Sequence, residues 1–312
     1  MKIVIVGAGY VGLVSGVCFA DFGHDVVCVE KDQRKLDMLG RGEIPIYEPG
    51  LDDLLAKNLE AGRIQFTSDL PSAMENAEVV FIAVGTPSRR GDGHADLTYV
   101  FQTAEEIADT MHPETVVVIK STVPVGTNRK VASIIKARRP DIVFHSASNP
   151  EFLREGSAIE DFMRPDRVVI GVDSERAEDI LRHVYRPLNL RDTPILATDL
   201  ETAEIIKYAA NAFLATKITF INEIANLCEK TGGDVQQVAN GIGLDSRIGK
   251  KFLHAGPGYG GSCFPKDTNA LARTGREVGA TQSIVETVIQ VNEARKLAMV
   301  DKVIEACGGS VA

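Results

Sequence analysis

The 312-residue sequence predicts an α/β fold: a doubly wound parallel sheet followed by an all-helical domain with one long helix. Three observations carry this. Short, nearly continuous apolar runs alternate with helix-period stretches over the first two thirds of the chain. This is the signature of a parallel sheet covered on both faces. β signals then vanish near residue 198. Finally, a glycine-rich turn joins the first apolar run to the first helical stretch.

Taken in order, the apolar runs are 2–6 (KIVIV), 25–30 (DVVCVE), 78–84 (EVVFIAV), 115–119 (TVVVI), 142–145 (IVFH), 167–172 (RVVIGV) and 193–196 (TPIL). Helical stretches lie at about 10–22, 51–61, 98–110, 127–138 and 174–185. Residues 199–230 contain no Pro or Gly and predict one helix of about 45 Å, stopped by Gly232-Gly233. Further helices are expected at about 234–241, 267–278 and 282–306. The domain boundary is placed near 197, giving domains 1–197 and 198–312. Residues 88–95 (SRRGDGHA) have the composition of a mobile loop.

The chain carries 34 Lys and Arg against 43 Asp and Glu, a net charge of −9. This acidic balance argues against a general nucleic-acid binder. No apolar run approaches the roughly 20 residues of a membrane span, so no membrane partner is expected. Met1 leads straight into a strand, without the apolar core of a signal peptide. The five cysteines are widely spaced and form no CxxC pair, so neither a disulfide framework nor a zinc or other metal site is expected. The simplest reading is a cytoplasmic protein with reduced thiols. Cys18, Cys28, Cys228 and Cys307 lie in apolar stretches and read as inert core.

Gly7-Ala8-Gly9-Tyr10-Val11-Gly12 is GxGxxG between a strand and a helix, and Glu30 ends the next strand 18 positions after Gly12. Together these form the dinucleotide fingerprint of a Rossmann-type sheet. Gly7 permits the tight turn, Gly9 the approach of the pyrophosphate, and Gly12 close helix–strand packing. Glu30 would accept bonds from ribose hydroxyls and repel a 2′-phosphate, which favours NAD over NADP. Gly85-Thr86-Pro87 and Ser121 to Thr127 (STVPVGT) also follow strands, at the edge where open sheets bind ligands. The alternative for each is an ordinary strand-to-helix turn.

Residues 256–267 (GPGYGGSCFPKD) are the richest stretch chemically. Glycines let a ligand approach the backbone. A helix opening near Pro265, with Lys266 beside it, would favour the nucleophilic thiolate of Cys263. The residues alone leave open whether Cys263 is that nucleophile or a buried small hydrophobe. Lys207 and Asn211, at i and i+4, point the same way along the long helix; they suit an oxyanion, but the residues alone read at least as well as a solvated Lys on a polar helix face. Asn149 to Gly156 (NPEFLREG) offers Glu151 and Glu155, which could equally be capping or salt-bridge groups. Arg247-Ile248-Gly249-Lys250-Lys251 could meet phosphates or simply face solvent.

These elements, in this order, resemble the UDP-glucose/GDP-mannose dehydrogenase family across essentially the whole chain. The motifs that carry the resemblance are GAGYVG (7–12), EPGL (48–51), VGTP (84–87), STVPVGT (121–127), NPEFLREG (149–156), EIIKYAANAF (204–213) and GYGGSCFPKD (258–267). The RIGKKFLHAGPG run at 247–258 favours the UDP-glucose branch over the GDP-mannose and UDP-N-acetylmannosamine branches. The resemblance implies a four-electron, NAD-dependent oxidation of a sugar-nucleotide alcohol to a carboxylate. Cys263 would form a thiohemiacetal and then a thioester. Lys207 and Asn211 would hold the oxyanion, and Asp267, with Thr122 and a water, would take the alcohol proton. Glu151 or Glu155 would serve the hydrolytic water.

The resemblance also implies NAD contacts from Gly7, Gly9, Tyr10, Val11, Gly12, Glu30, Lys35, Thr86, Thr122, Glu155 and Lys266. Sugar-nucleotide contacts would come from Glu151, Phe152, Leu153, Arg154, Glu155, Lys207, Asn211, Phe252, Leu253, His254, Ala255, Gly256 and Gly260. An arginine like Arg247 would reach a neighbouring subunit's site in a homodimer built on the long helix. Family members continue into a third domain. The ending CGGSVA reads as a cut at that junction, so these residues alone are expected to turn over poorly. A two-electron dehydrogenase of the β-hydroxyacid type shares the layout, but the Cys263 loop argues against it. A non-enzymatic nucleotide-binding or dimerisation module is the remaining alternative.

Overall fold

The computed structural model describes residues 1–87, 89, 94–190 and 192–309. They form two compact units. The first holds residues 1–87 and 96–207, and the second holds 208–309 with 89, 94 and 95. The division falls inside the long helix, beyond the change of pattern near 197. Most of the 88–95 stretch, expected to be a loop, lies outside the described residues.

In chain order the first unit runs β1 (Lys2–Val6), α1 (Tyr10–Asp21), β2 (Asp25–Val29), α2 (Gln33–Gly40), α3 (Leu51–Glu60), β3 (Ile64–Thr67), α4 (Leu70–Met74), β4 (Val79–Ile82) and α5 (Thr98–Thr110). It continues with β5 (Val116–Ile119), α6 (Thr127–Arg138), β6 (His145–Ser148), α7 (Ala158–Met163), β7 (Val168–Val172), α8 (Glu175–Val184), α9 (Arg186–Asn189) and β8 (Ile195–Thr198). The sheet order is β3-β2-β1-β4-β5-β6-β7-β8. Successive side chains of a strand point to opposite faces. Ile3 and Ile5 therefore enter one core with Phe19 and Phe81. Val4 and Val6 enter the other with Val80 and Ile82. Burial on both faces is why these strands read as unbroken apolar runs.

Three details of the sheet differ from the expectations, and the short helices α2, α4, α7 and α9 were not expected either. β3 (IQFT) was not anticipated, because Gln65 and Thr67 break its apolar run. The run at 142–145 is not the strand. Ile142 and Phe144 pack in the second core, but the ladder begins at His145, opposite Val116. Its strand is built of buried Ser146, Ala147 and Ser148. Nor is the sheet wholly parallel, since β6 and β7 pair antiparallel. Helix α7 has six residues, about 9 Å of rise, too short to carry the chain back to the far end of the sheet.

The second unit is helical. It takes up α10 (Leu200–Thr231) beyond residue 207 and adds α11 (Val235–Gly243), α12 (Phe264–Glu277) and α13 (Ser283–Ala306). Gly232, at φ +76°, ends α10 in the left-handed region that glycine adopts freely. Asp234 then opens α11 by accepting from the N–H groups of Gln236 and Gln237. Small apolar clusters centre on Ala215, Tyr259 and Val288 and on Ile221, Ala239 and Leu253. Among the described residues no helix is long and apolar enough to cross a membrane.

Candidate functional site

In the first unit the strand order reverses between β1 and β4, so the turn after β1 opens at the sheet's switch point. Gly7 has φ +105° and donates its N–H to Val29 O at 2.8 Å. A Cβ on Gly12 would lie 1.8 Å from Gly7 O, so only glycine fits there. A Cβ on Gly9 would meet nothing within 4 Å. That space suits a ligand rather than a side chain. Helix α1 starts at Gly9 with no side-chain cap and no acidic residue in its first turn. The first N–H groups of the helix, at half-buried Tyr10 and Val11, and its positive end are therefore available to a pyrophosphate. Glu30 closes the crevice. It accepts from the N–H groups of Ala8 (3.2 Å) and Lys31 (2.8 Å) and pairs with Lys35 at 3.3 Å.

The other glycine turn behaves differently. Gly126 opens α6, but buried Glu204 of α10 accepts the N–H groups of Gly126 (2.7 Å) and Asn128 (2.9 Å). Burial pushes the Glu204 carboxyl above the usual range against these bonds. The end of α6 is thus capped from within, whereas that of α1 is left for a ligand. Thr86 donates to Thr122 O at 3.0 Å, and Ser121 donates to Val84 O at 2.6 Å. These bonds tie the two candidate turns together at the carboxyl edge.

The loop after β6 separates its two carboxylates. Glu151 is buried and pairs with buried Lys207 at 3.0 Å. Its other oxygen accepts from Leu153 N–H at 2.6 Å. The Phe152 ring carries Arg167 at 3.7 Å and the Lys207 ammonium at 5.3 Å. Glu155 is exposed. Arg154 is held by Asp161. Glu48, from the EPGL motif, is buried and accepts from Gly156 N–H (2.9 Å), Ala158 N–H (2.8 Å) and the Tyr10 hydroxyl. It fastens the 154–158 turn to the glycine-motif tyrosine, and burial together with this carboxylate pushes the Tyr10 hydroxyl up.

In the second unit Cys263 is exposed and stands at the N-cap of α12, with Lys266 and Asp267 in the first turn. The helix begins at Phe264, next to the expected opening near Pro265. Asp267 is 1% exposed, accepts from the Asn211 amide at 2.7 Å and pairs with Lys266. Phe264 packs edge-on between Phe252 and Tyr259, both at 6.1 Å. Phe252 sits at φ +64°, a strained conformation for a bulky residue that recurs at functional loops. Leu253 is buried, Ala255 and Gly256 are half-buried, and His254 and Gly260 are exposed. Arg247 is exposed and forked onto Asp245. Of the other cysteines, Cys18, Cys28 and Cys228 are buried, with burial pushing the Cys28 thiol up to about 12. Cys307 is exposed, contrary to the expectation of an inert core residue, because α13 ends at it.

Sequence reasoning missed the residues that latch the glycine loop. Asn292 of α13 accepts from Tyr259 N–H (2.8 Å) and donates to Tyr259 O (3.1 Å). Asn222 accepts from Gly256 N–H at 2.8 Å, and Arg295 donates to Gly256 O at 3.0 Å. Their signal was only a polar residue on a helix face, which solvated positions share.

A doubly wound sheet with an open α1 terminus and an acidic residue closing the crevice defines a dinucleotide-dependent oxidoreductase architecture. Residues 1–189 match the NAD binding domain of the UDP-glucose/GDP-mannose dehydrogenase family, and residues 201–294 match its central domain. The chain belongs to this family of sugar-nucleotide dehydrogenases, and its cofactor is NAD. It is 63% identical to a UDP-glucose 6-dehydrogenase of Rhizobium meliloti (strain 1021), covering 100% of this chain and 72% of the relative. It is 52% identical to one of Bacillus subtilis (strain 168), covering 98% and 66%. A solved UDP-glucose dehydrogenase from Pyrobaculum islandicum superposes with a TM-score of 0.94 at 42% identity, over 98% of this chain and 71% of that one.

Proposed function

We propose that the protein oxidises the C6 alcohol of UDP-glucose to the carboxylate of UDP-glucuronate. The observation that carries this reading is the exposed Cys263 at the head of α12, one turn from the buried Asn211–Asp267 pair and half-buried Lys266. Relatives that are named for UDP-glucose support the choice of substrate. A dehydrogenase that stops at the aldehyde has no need of a cysteine there.

NAD+ bound at α1 supplies the hydride acceptor, and one substrate uses two NAD+ in turn. The alcohol, two NAD+ and one water give the carboxylate, two NADH and three protons. Asp267, with Thr122 and a water, takes the hydroxyl proton in the first oxidation. An aldehyde has no hydride to give until a nucleophile adds. Cys263 Sγ therefore bonds to the aldehyde carbon, giving a thiohemiacetal whose C–H then leaves as hydride. The resulting thioester is cleaved by water. A C–O bond forms, the C–S bond breaks, and the electron pair returns to Sγ.

Lys207 and Asn211, one turn apart on α10, hold the oxyanion that forms at each stage. An ammonium has three N–H donors and an amide two. Each spends one on an acidic partner, Glu151 or Asp267, and keeps at least one for the substrate. Glu151 or Glu155 orders the hydrolytic water. Tyr10, Glu30, Lys35, Thr86, Thr122, Glu155 and Lys266 bind NAD. The 151–155 and 252–260 loops and Arg247 bind the sugar nucleotide. A homodimer forms through α10, where Phe213, Phe220 and Leu227 stand exposed at seven-residue intervals along one stripe.

Because the relatives are longer, these 312 residues assayed by themselves are expected to turn over more slowly than the relatives do. The deciding experiment counts NADH. The intact natural protein with limiting UDP-glucose should release two NADH per sugar, and a panel of other sugar nucleotides should react more slowly. One NADH per sugar would replace this reading with a two-electron dehydrogenase.

A further inference from the structure

Lys120 directly follows β5 and is buried, yet among the described residues no ion pair holds it. Its ammonium donates to Asn149 Oδ1 at 3.0 Å and to the Tyr185 hydroxyl at 3.2 Å, and lies 5.7 Å above the Phe162 ring. None of these is a counter-charge. Burial pushes the Tyr185 hydroxyl and the Cys18 thiol, the other titratable neighbours, far up, so both stay neutral. Nor does the packing need the lysine. Tyr185 donates to Asn149 Oδ1 at 2.6 Å, and that pair would stay closed without it. A buried cation without an ion pair is costly, and an apolar replacement of similar shape is usually neutral or stabilising. Such an arrangement is a mark of function.

The charges that bear on it are Glu151 and Lys207. Lys120 and Glu151 line one cavity of about 40 Å³, together with Phe152, Asp161 and Arg167. Asp161 is committed to Arg154, and Arg167 lies on the Phe152 ring. Glu151 is the buried carboxylate of this array and bonds Lys207 directly. We infer that Lys120 is a positioning residue for the Glu151–Lys207 pair: it gives Glu151 a second cation, so that Lys207 can turn its charge to the substrate oxyanion. This rests on the reading of Lys207 as the oxyanion's partner. With Lys120 the array of two lysines and one carboxylate has net positive charge, and without it the array is neutral.

Burial lowers the Lys120 ammonium to about 8, with Lys207 adding to the fall and Glu151 opposing it. The charge should therefore be lost over the basic limb of the rate profile. The test compares Lys120→Met and Lys120→Arg with the parent in the intact protein, measuring melting temperature, kcat, KM and the pH–rate profile. The Met variant should melt at or above the parent temperature at pH 7 and lose about 10- to 100-fold in kcat. Its KM should stay within about twofold, and the limb near pH 8 should disappear. The Arg variant keeps a charge that does not titrate, so it should recover most of kcat and also lack that limb.

Parent-like kcat in the Met variant, a fall in its melting temperature of more than about 5 °C, or failure to fold would overturn the inference. So would a kcat loss matched by the Arg variant in folded protein, or a limb near pH 8 that both variants retain. If instead the parent protein yields no NADH from UDP-glucose, it is the functional reading that fails, and that result precedes any comparison of variants.

Discussion

Two glycines of the nucleotide turn make opposite predictions when each is replaced by alanine. At Gly12 a Cβ would stand 1.8 Å from Gly7 O and 3.2 Å from the Ala83 Cβ. Relief requires α1 to back away from the β1 turn by more than about 1 Å. At the upper end of overpacking costs this is about 3 kcal/mol or more. For a unit of this size that lowers the melting temperature by about 6 °C or more. At Gly9 the new methyl meets no protein atom, and φ is −74°, open to any residue. A stiffer unfolded chain and a poorer helix cap oppose each other, leaving the apoprotein within about 1 kcal/mol of the parent. The methyl does, however, occupy the approach to the first N–H groups of α1. Each charge-assisted bond lost to the pyrophosphate costs about 1.5–3 kcal/mol, so NAD+ affinity should fall about 10- to 100-fold. Calorimetric titration with NAD+ and thermal melting of the apoprotein read the two effects separately. A Gly9→Ala protein that binds NAD+ within twofold of the parent would show that the pyrophosphate does not lie on this turn.

Cys263→Ser should lower formation of the carboxylate at least about a thousandfold while leaving NAD+ affinity unchanged, as measured by product chromatography and titration. Asn292→Asp keeps the acceptor for Tyr259 N–H but loses the donor to Tyr259 O. The 256–260 loop should loosen, and KM for the sugar nucleotide should rise about tenfold, as read by steady-state kinetics at saturating NAD+. Phe220→Asp places a charge in the middle of the exposed α10 stripe and should yield monomers by light scattering. Lys120 also predicts a pH dependence of stability. Its folded value, near 8, lies below the unfolded value of 10.5, so the unfolded chain binds the proton more tightly between them. Stability from this group therefore rises with pH across that window, by up to about 3 kcal/mol. Denaturant titrations of the parent and Lys120→Met should converge as pH rises from 8 towards 10.5.

Much of the fold was legible because its strands are buried on both faces and its turns need glycine. β1, β2, β4, β5 and β7 are apolar at nearly every position, and Gly7 and Gly12 admit no other residue. What escaped is where burial is not apolar. Beyond His145, β6 is serine and alanine, small enough to lie between helices without the signature that β propensity reads. Its flank Ile142–Phe144 carries that signature without joining the ladder. The reversal at β7 also lay hidden, since strand direction depends on how far a connection can travel.

The candidate site divides along the same line. Single residues with unusual chemistry stood out: a cysteine in a glycine loop, an acid after the second strand, a Lys and an Asn on one helix face. Their partners did not. Spacing along α10 suggested Lys207 and Asn211 as a pair with each other, yet each first meets an acid 56 residues away, Glu151 for one and Asp267 for the other. Helical periodicity reports which way a side chain points, not what has folded up against it. The residues that hold the loops, Glu48, Glu204, Asn222, Asn292 and Arg295, bond mostly to backbone N–H and C=O groups. Every residue but proline offers such groups, so a latch of this kind leaves no mark in its partner's side chain. Lys120 is the harder case. An apolar strand followed at once by a lysine reads as the chain emerging into solvent. Only the surroundings, a neutral phenol, a neutral thiol and the Glu151 carboxylate across a small cavity, turn that ordinary position into a charge the site has reason to keep.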